Sequence, residues 1–306
     1  MLSPSNQTKL FGFNKILKEF TNLYDLNKFP NKILFSGQKG LGKATFSYHL
    51  INFILSKDEE FSYELKNFSI NNQNKSFKLI QNKTHPNFNL IDVMPEKMNI
   101  DINQIRQLIS KFNKSSFNSK PRFILIDNIE LLNISSVNAL LKFLEEPTVN
   151  TYFILIHNHK DIPNTLRSRC LEFKIFFSNN EILDISNKLL NEDIFNLINK
   201  DLLNYYHTPG KIYNLYQLCV ENNIDIKNID LSNFLSLLID KKFYRKNNAM
   251  SSMLYDFIEV FLKRNFKKAN NFIEANDFFK RKYNVKKFNL DEESLFIHFK
   301  EKILHG

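Results

Sequence analysis

An α/β domain with a parallel sheet, followed by an all-helical C-terminal half, is the fold class this sequence predicts. Three observations carry it. Ile33-Leu34-Phe35 runs into Gly37-Gln38-Lys39-Gly40-Leu41-Gly42-Lys43, a glycine-spaced loop that opens a helical pattern. Two short apolar runs, Phe123–Ile126 and Tyr152–Ile156, end in Asp127 and near Asn158, with a helical segment between them. From residue 178 onward, apolar residues recur at helical spacing with no strand pattern.

The bulk numbers bound the reading. A chain of 306 residues, 43% hydrophobic and 24% charged, can bury a core and divide into two or three domains. No internal repeat of solenoid period is present. The formal charge of +10 has two readings, an acidic partner such as nucleic acid or a lysine-rich composition bias shared with Asn and Ile. Cys170 and Cys219 are the only cysteines, which excludes a disulfide framework. The N-terminus has no signal-peptide pattern, and no apolar run reaches the ~18 residues needed to span a bilayer. A soluble, cytoplasmic protein with no membrane partner is expected.

Taken in order, residues 8–28 place Leu10, Phe13, Leu17 and Phe20 on one helical face. Pro30 separates that helix from the first strand. The helix after the loop carries Phe46, Leu50, Phe53 and Ile54. Residues 56–84 are polar and Asn-rich and read as a poorly structured insertion or a helix between long loops. Thr84-His85-Pro86 precedes a strand over 88–93, and His85 reads as a turn residue or a ligand. Residues 101–113 predict an amphipathic helix with Asp101 as its cap. In the helix after Asp127, Ile134, Val137, Leu140, Leu141 and Leu144 share a face, and Pro147 stops it. Residues 178–221 predict a three-helix unit interrupted at Thr208-Pro209-Gly210. Helices are expected over 230–246, 249–265, 267–283 and 291–304.

The chemistry-bearing residues follow the strand ends. Glycines at 37, 40 and 42 let backbone N–H groups converge on phosphate oxygens, and Lys43 adds a point charge at a helix N-terminus. The position after that lysine ordinarily holds a hydroxyl for Mg²⁺. Here it is Ala44, and Thr45 comes one position late. Asp127 at a strand end either holds magnesium or caps the next turn. The neighbouring position, where a carboxylate would activate water, is Asn128, and an amide takes no proton. Asn158 either orients water or serves a turn. Arg169 before the last strand is by itself an ordinary surface arginine.

Asn138-Ala139-Leu140-Leu141-Lys142-Phe143-Leu144-Glu145-Glu146-Pro147, with Ser168-Arg169-Cys170, resembles the clamp-loader branch of the AAA+ ATPases. Thr84-His85-Pro86, Pro95-Glu96-Lys97 and Thr208-Pro209-Gly210 also resemble that branch, and the similarity spans about residues 30–215. The resemblance implies a RecA-like P-loop domain over 1–177, a helical lid over 178–222 and a helical collar for oligomerisation over 223–306. It implies a non-motor subunit of the bacterial DNA polymerase III assembly, inactive as an ATPase alone. Its partners would be the motor subunits (gamma/tau), the delta subunit, and, through the assembled complex, a sliding clamp and primed DNA. Arg169 would act as an arginine finger in trans on a neighbour's ATP. Ala44, Asn128 and Gly210, which stands where motor subunits carry a second sensor arginine, agree with a degenerate nucleotide site holding at most residual ATP or ADP. No cofactor or metal is expected: many relatives hold zinc with four cysteines in the insertion, and residues 56–84 have none. Two alternatives stay open, an ATP-hydrolysing gamma/tau-like motor or other replication ATPase, and a nucleic-acid-binding scaffold acting through the basic C-terminal block.

Overall fold

The structure is a computed structural model that describes residues 3–94, 97–112, 119–145, 150–158, 161–203, 207–246, 248–265, 269–288 and 290–304. It divides into two compact units: residues 1–191 with 208–214, and residues 192–207 with 215–306. The segment 178–222 is therefore shared between them.

The first unit is a three-layer α/β/α sandwich. Its elements run α1 (Asn14–Asp25), β1 (Lys32–Ser36), α2 (Lys43–Leu55), α3 (Lys75–Gln81), β2 (Phe88–Ile91), α4 (Ile102–Phe112), β3 (Arg122–Ile126), α5 (Ile134–Glu145), β4 (Thr151–His157), α6 (Asn164–Arg167), β5 (Leu171–Lys174) and α7 (Asn179–Leu190). The five strands lie in the order β2-β3-β4-β1-β5, and every pairing is parallel. Parallel sheets are covered on both faces, which is why the strands read as unbroken apolar runs. The pleat still sorts them. Ile33, Phe35, Phe123, Leu125, Ile154 and Ile156 face the layer of α1 and α2. Leu34, Ile124, Ile126, Phe153 and Leu155 face the layer of α4, α5 and α6. α2 is buried almost all round, including Phe46, Leu50 and Ile51, so it forms the spine of its layer.

Of the two readings of the insertion 56–84, the structure agrees with a helix between long loops, α3 being that helix, and the segment is packed. Tyr63, Phe68, Ile70, Phe77 and Ile80 are buried within it. Its polar residues turn inward and bond one another. Asn74 caps α3, its Oδ1 accepting from the Phe77 N–H (2.7 Å) and from Asn52 Nδ2 (3.0 Å), while its own Nδ2 donates to the Phe61 carbonyl (2.6 Å). Ser76 Oγ donates to Glu59 (2.6 Å) and lies 3.2 Å from His85 Nε2, and His85 Nδ1 accepts from the Asn87 N–H (3.1 Å). Burial pushes His85 down to about 4, so it is a neutral structural residue at neutral pH. Buried polar groups are tolerated when they are bonded. Asn74→Ala is accordingly expected to cost about 2–4 kcal/mol, a cap plus two buried amide partners, measured as a shift of the urea midpoint at constant slope.

α4 starts as expected. Asp101 Oδ1 accepts from the Asn103 N–H (2.9 Å), and Gln104 Oε1 accepts from the Asp101 N–H (3.0 Å), a reciprocal cap. α1 is shorter than the amphipathic pattern: residues 8–12 are not helical, Lys9 bridges to Ser69, and Gly12 adopts φ +80° just before the helix.

The second unit is helical: α8 (Ile194–Leu197), α9 (Lys200–Leu203), the latter part of α10 (Pro209–Glu221), α11 (Leu231–Asp240), α12 (Asn248–Asn265), α13 (Ala269–Phe288) and α14 (Glu293–Phe299). Within the helical pattern expected over 178–221, Asp193 caps a single turn and Ile198 turns extended (φ −127°, ψ 136°). The core is built on Phe234, Phe257, Phe278, Phe296 and Phe299, with Phe234–Phe257 centroids 5.3 Å apart and Phe278–Phe299 5.5 Å apart. Among the described residues, no helix is long and apolar enough to cross a membrane.

Candidate functional site

The C-terminal ends of parallel strands form one rim of the sheet, where α/β folds place their ligands. The loop of residues 37–42 follows β1 there. Gly40 (φ +92°) and Gly42 (φ +89°) adopt left-handed backbone that glycine favours. Lys43 opens α2 and is buried. Its Nζ donates to the carbonyls of Gly37 (2.8 Å) and Gln38 (2.7 Å), so the ammonium closes back on its own loop. Burial pushes Lys43 down to about 8, against the pull of Asp127 and Glu130.

The turn Thr208-Pro209-Gly210 seats on the same loop. Thr208 Oγ1 donates to the Lys39 carbonyl (2.9 Å), and the Gly210 N–H donates to the Gly40 carbonyl (2.9 Å). A side chain at Gly40 would run into Thr208, which is why the approach needs glycine.

Asp127 follows β3. Burial, then the neighbouring charge of Asp92, raises it to about 6. Asp92 stands after β2, and since Ile91 pairs with Ile126 in parallel register, the two carboxylates sit side by side. Asn128 adopts left-handed backbone (φ +56°) and bonds both neighbours: its Nδ2 donates to Asp92 Oδ1 (2.8 Å), and its Oδ1 accepts from Asn158 Nδ2 (3.0 Å). The Asn158 N–H donates to Glu130 (3.2 Å). Lys43, Asp127, Asn128 and Asn158 thus gather at one rim. Asp92 and Glu130 join them unforeseen; the signal available was an acid at the end of each of two adjacent strands.

The raised Asp127 carries a pH signature. Between its ordinary value of 3.8 and about 6 the folded state holds a proton that the unfolded state has lost, so stability falls as pH rises through that window. Asp127→Asn removes the effect. Its melting temperature should exceed the parent's above pH 6, by the equivalent of up to ~3 kcal/mol, and match it near pH 4.

Residues that fit magnesium–ATP are incomplete here. Position 44 has no oxygen, and Ala44 packs against the core of the α1–α2 layer. Thr45 is half-buried on the first turn of α2. Among the described residues no group of three or more His, Cys, Asp or Glu is arranged to hold a metal.

The second constellation is apart from that rim. On α5, Leu144 is buried and Leu141 packs on the same core, while Asn138, Lys142 and Glu145 lie on the exposed face. Glu146 and Pro147 fall outside the described residues, as do Pro95 and Glu96. After α6, Ser168 Oγ donates to the Thr165 carbonyl (3.2 Å). Cys170 packs on the α4–α6 layer, and burial raises its thiol to about 11, so it is a packing residue. Arg169 lies between them with its guanidinium toward Glu145: Nε donates to Glu145 Oε1 (2.9 Å), Nη2 bonds the same oxygen, and Nη1 donates to the Thr165 carbonyl (2.8 Å).

A family model described as "DNA polymerase III, delta subunit" matches residues 12–178, more than half of the chain and nearly the whole α/β unit. The chain belongs to this family. DNA polymerase III subunit gamma of Buchnera aphidicola subsp. Schizaphis graminum is 30% identical over 196 residues, 64% of this chain and 48% of that protein. The delta' subunit of the same organism is 28% identical over 295 residues, 88% of this chain and 84% of that protein. The chain thus spans about half the length of the first relative and most of the second. Among solved structures, a DNA polymerase III gamma subunit-related protein of Thermotoga maritima matches with a TM-score of 0.52 at 17% identity, covering 92% of this chain and 97% of that one. That likeness concerns the fold, a RecA-like P-loop sheet with helical additions, as the resemblance to the AAA+ clamp-loader branch implied.

Proposed function

We propose that this member of the DNA polymerase III delta family is a non-motor, delta prime-type subunit of a clamp loader. In this reading it joins motor subunits (gamma/tau) and a delta subunit in the cytoplasm. The assembled complex opens a sliding clamp and sets it on primed DNA. The chain's contribution to chemistry is Arg169, presented to ATP held by the neighbouring motor subunit. Residues 1–177 would act as the P-loop domain, 178–222 as a lid and 223–306 as the collar that joins the ring.

The observation that carries this is the contrast between the two constellations. At the chain's own rim, Ala44 supplies no magnesium ligand, Asn128 is committed by its amide to Asp92 and Asn158, and Lys43 is folded onto loop carbonyls. At the other, Arg169 reaches the surface with a charged donor group. Stabilising the charge that develops on a transferred phosphoryl group needs a positioned cation and no base. In this reading the rim holds at most residual ATP or ADP, and no cofactor or zinc is required.

The test is assembly and turnover. The purified chain, mixed at micromolar concentration with the motor and delta subunits of its own cell, should co-elute with them, and alone it should hydrolyse no ATP. Failure to join the complex would sink the reading. Robust turnover by the lone chain would instead make it a motor, the alternative that the similarity to a gamma subunit favours.

A further inference from the structure

We propose that Glu145 is a positioning residue for Arg169, holding the guanidinium so that one edge is aimed outward at the neighbour's phosphate. The inference rests on the finger reading of Arg169 and deepens it.

An arginine has five N–H donors in a rigid plane. Glu145 Oε1 takes those of Nε and Nη2, and the Thr165 carbonyl takes one from Nη1. Among the described residues that leaves one N–H on Nη1 and one on Nη2, the number used in a two-point grip on a phosphate. Each anchor stands next to a buried position of the fold. Glu145 is the last residue of α5, one step after buried Leu144, and Thr165 is on α6, one step before buried Leu166.

Glu145 is locally out of place. A carboxylate at a helix C-terminus meets the negative end of the dipole. A residue that opposes its local preference points to a tertiary reason, and here the reason is the guanidinium. The pair is accessible, with Arg169 34% and Glu145 51% exposed at the side chain. It therefore contributes little stability, and its effect falls on geometry. An untethered arginine samples many rotamers and must be ordered at each turnover, which costs rate at the transition state.

The experiment is steady-state ATPase of the reconstituted complex with clamp and primed DNA, comparing the parent, Glu145→Gln, Glu145→Asp, Arg169→Ala and the double variant Glu145→Gln/Arg169→Ala. Glu145→Gln should lower kcat at the affected site by roughly ten- to thirtyfold, the factor of freezing one long side chain, with KM for ATP unchanged. Glu145→Asp, which keeps the charge, should recover part of it. The double variant should be no slower than Arg169→Ala alone, because the carboxylate acts only through the arginine. A normal or faster rate for Glu145→Gln, with Arg169→Ala impaired, would overturn the positioning role and leave the finger standing; a faster rate would mean the carboxylate competes with phosphate. Additive losses in the double variant would reduce Glu145 to a structural residue. If Arg169→Ala itself turns over normally, both readings fall together.

Discussion

Arg169→Ala is expected to slow ATP turnover at one motor site of the assembled complex by about a hundredfold or more, without releasing the chain from the complex. A guanidinium delivered to the transferring γ-phosphoryl group accounts for about 10³ to 10⁵ in rate in related phosphoryl transfers. That corresponds to roughly 4–7 kcal/mol of barrier. The effect should fall on kcat, because the charge it neutralises is greatest in the transition state. Arg169→Lys should be nearly as impaired. A lysine has one ammonium where the arginine spreads donors over a plane, so it cannot hold Glu145 and Thr165 and still present two N–H groups. Arg169 is partly exposed and its ion pair is a surface one, so neither change should lower the melting temperature appreciably. Single-turnover ATP hydrolysis, with gel filtration to verify assembly, decides it. An unchanged rate would leave a family scaffold that lends no chemistry.

Phe46→Ala is expected to cost about 3–5 kcal/mol of stability. Phe46 is 0% exposed and lies at the centre of an aromatic cluster. Its ring stacks on Phe13 (4.8 Å between centroids) and meets Phe35 at 5.2 Å and Phe20 at 5.9 Å edge-on. These neighbours come from β1, α1 and the residue just before α1, so the cavity cannot collapse without shifting the sheet or the helix. Aromatic pairing adds to the area term, at about 0.5–1.5 kcal/mol for each good pair. Phe46 also stands one turn into α2, just below Lys43, so loosening it disturbs the loop at 37–43. Phe176→Ala is the matched control: that ring is 82% exposed and should cost less than ~0.5 kcal/mol. Urea unfolding of the two variants separates them by midpoint. Equal midpoints would mean that the α1–α2 layer is not packed as described.

Much of this protein is local in origin. Apolar runs of three to five residues announced β1, β3 and β4, since a strand covered on both faces has no polar side to show. Helical spacing announced α2, α4, α5 and the longer helices of the second unit, and Asp101 marks the start of α4 by its own chemistry, with Gln104 completing the cap in the structure. The empty oxygen position at Ala44 and the amide at Asn128 need no coordinates at all. Other features needed the tertiary structure. Asp92 became part of the rim only because β2 pairs with β3, which places two carboxylates at one edge and adds to the burial that lifts Asp127 to about 6. The polar, Asn-rich insertion 56–84 reads either as poorly structured or as a helix between long loops, and the sequence alone does not choose between them. The segment is packed in part because Asn74 bonds Asn52 of α2 and Ser76 bonds His85, and no periodicity in a sequence reports bonds of that kind. Glu145 and Arg169 are separated by 24 positions and meet only once α5 and α6 are in place. Residue type and spacing determined which elements form and which chemistry each can carry. Burial and strand order decided which of those groups stand together, because desolvation and charge coupling depend on distance in space.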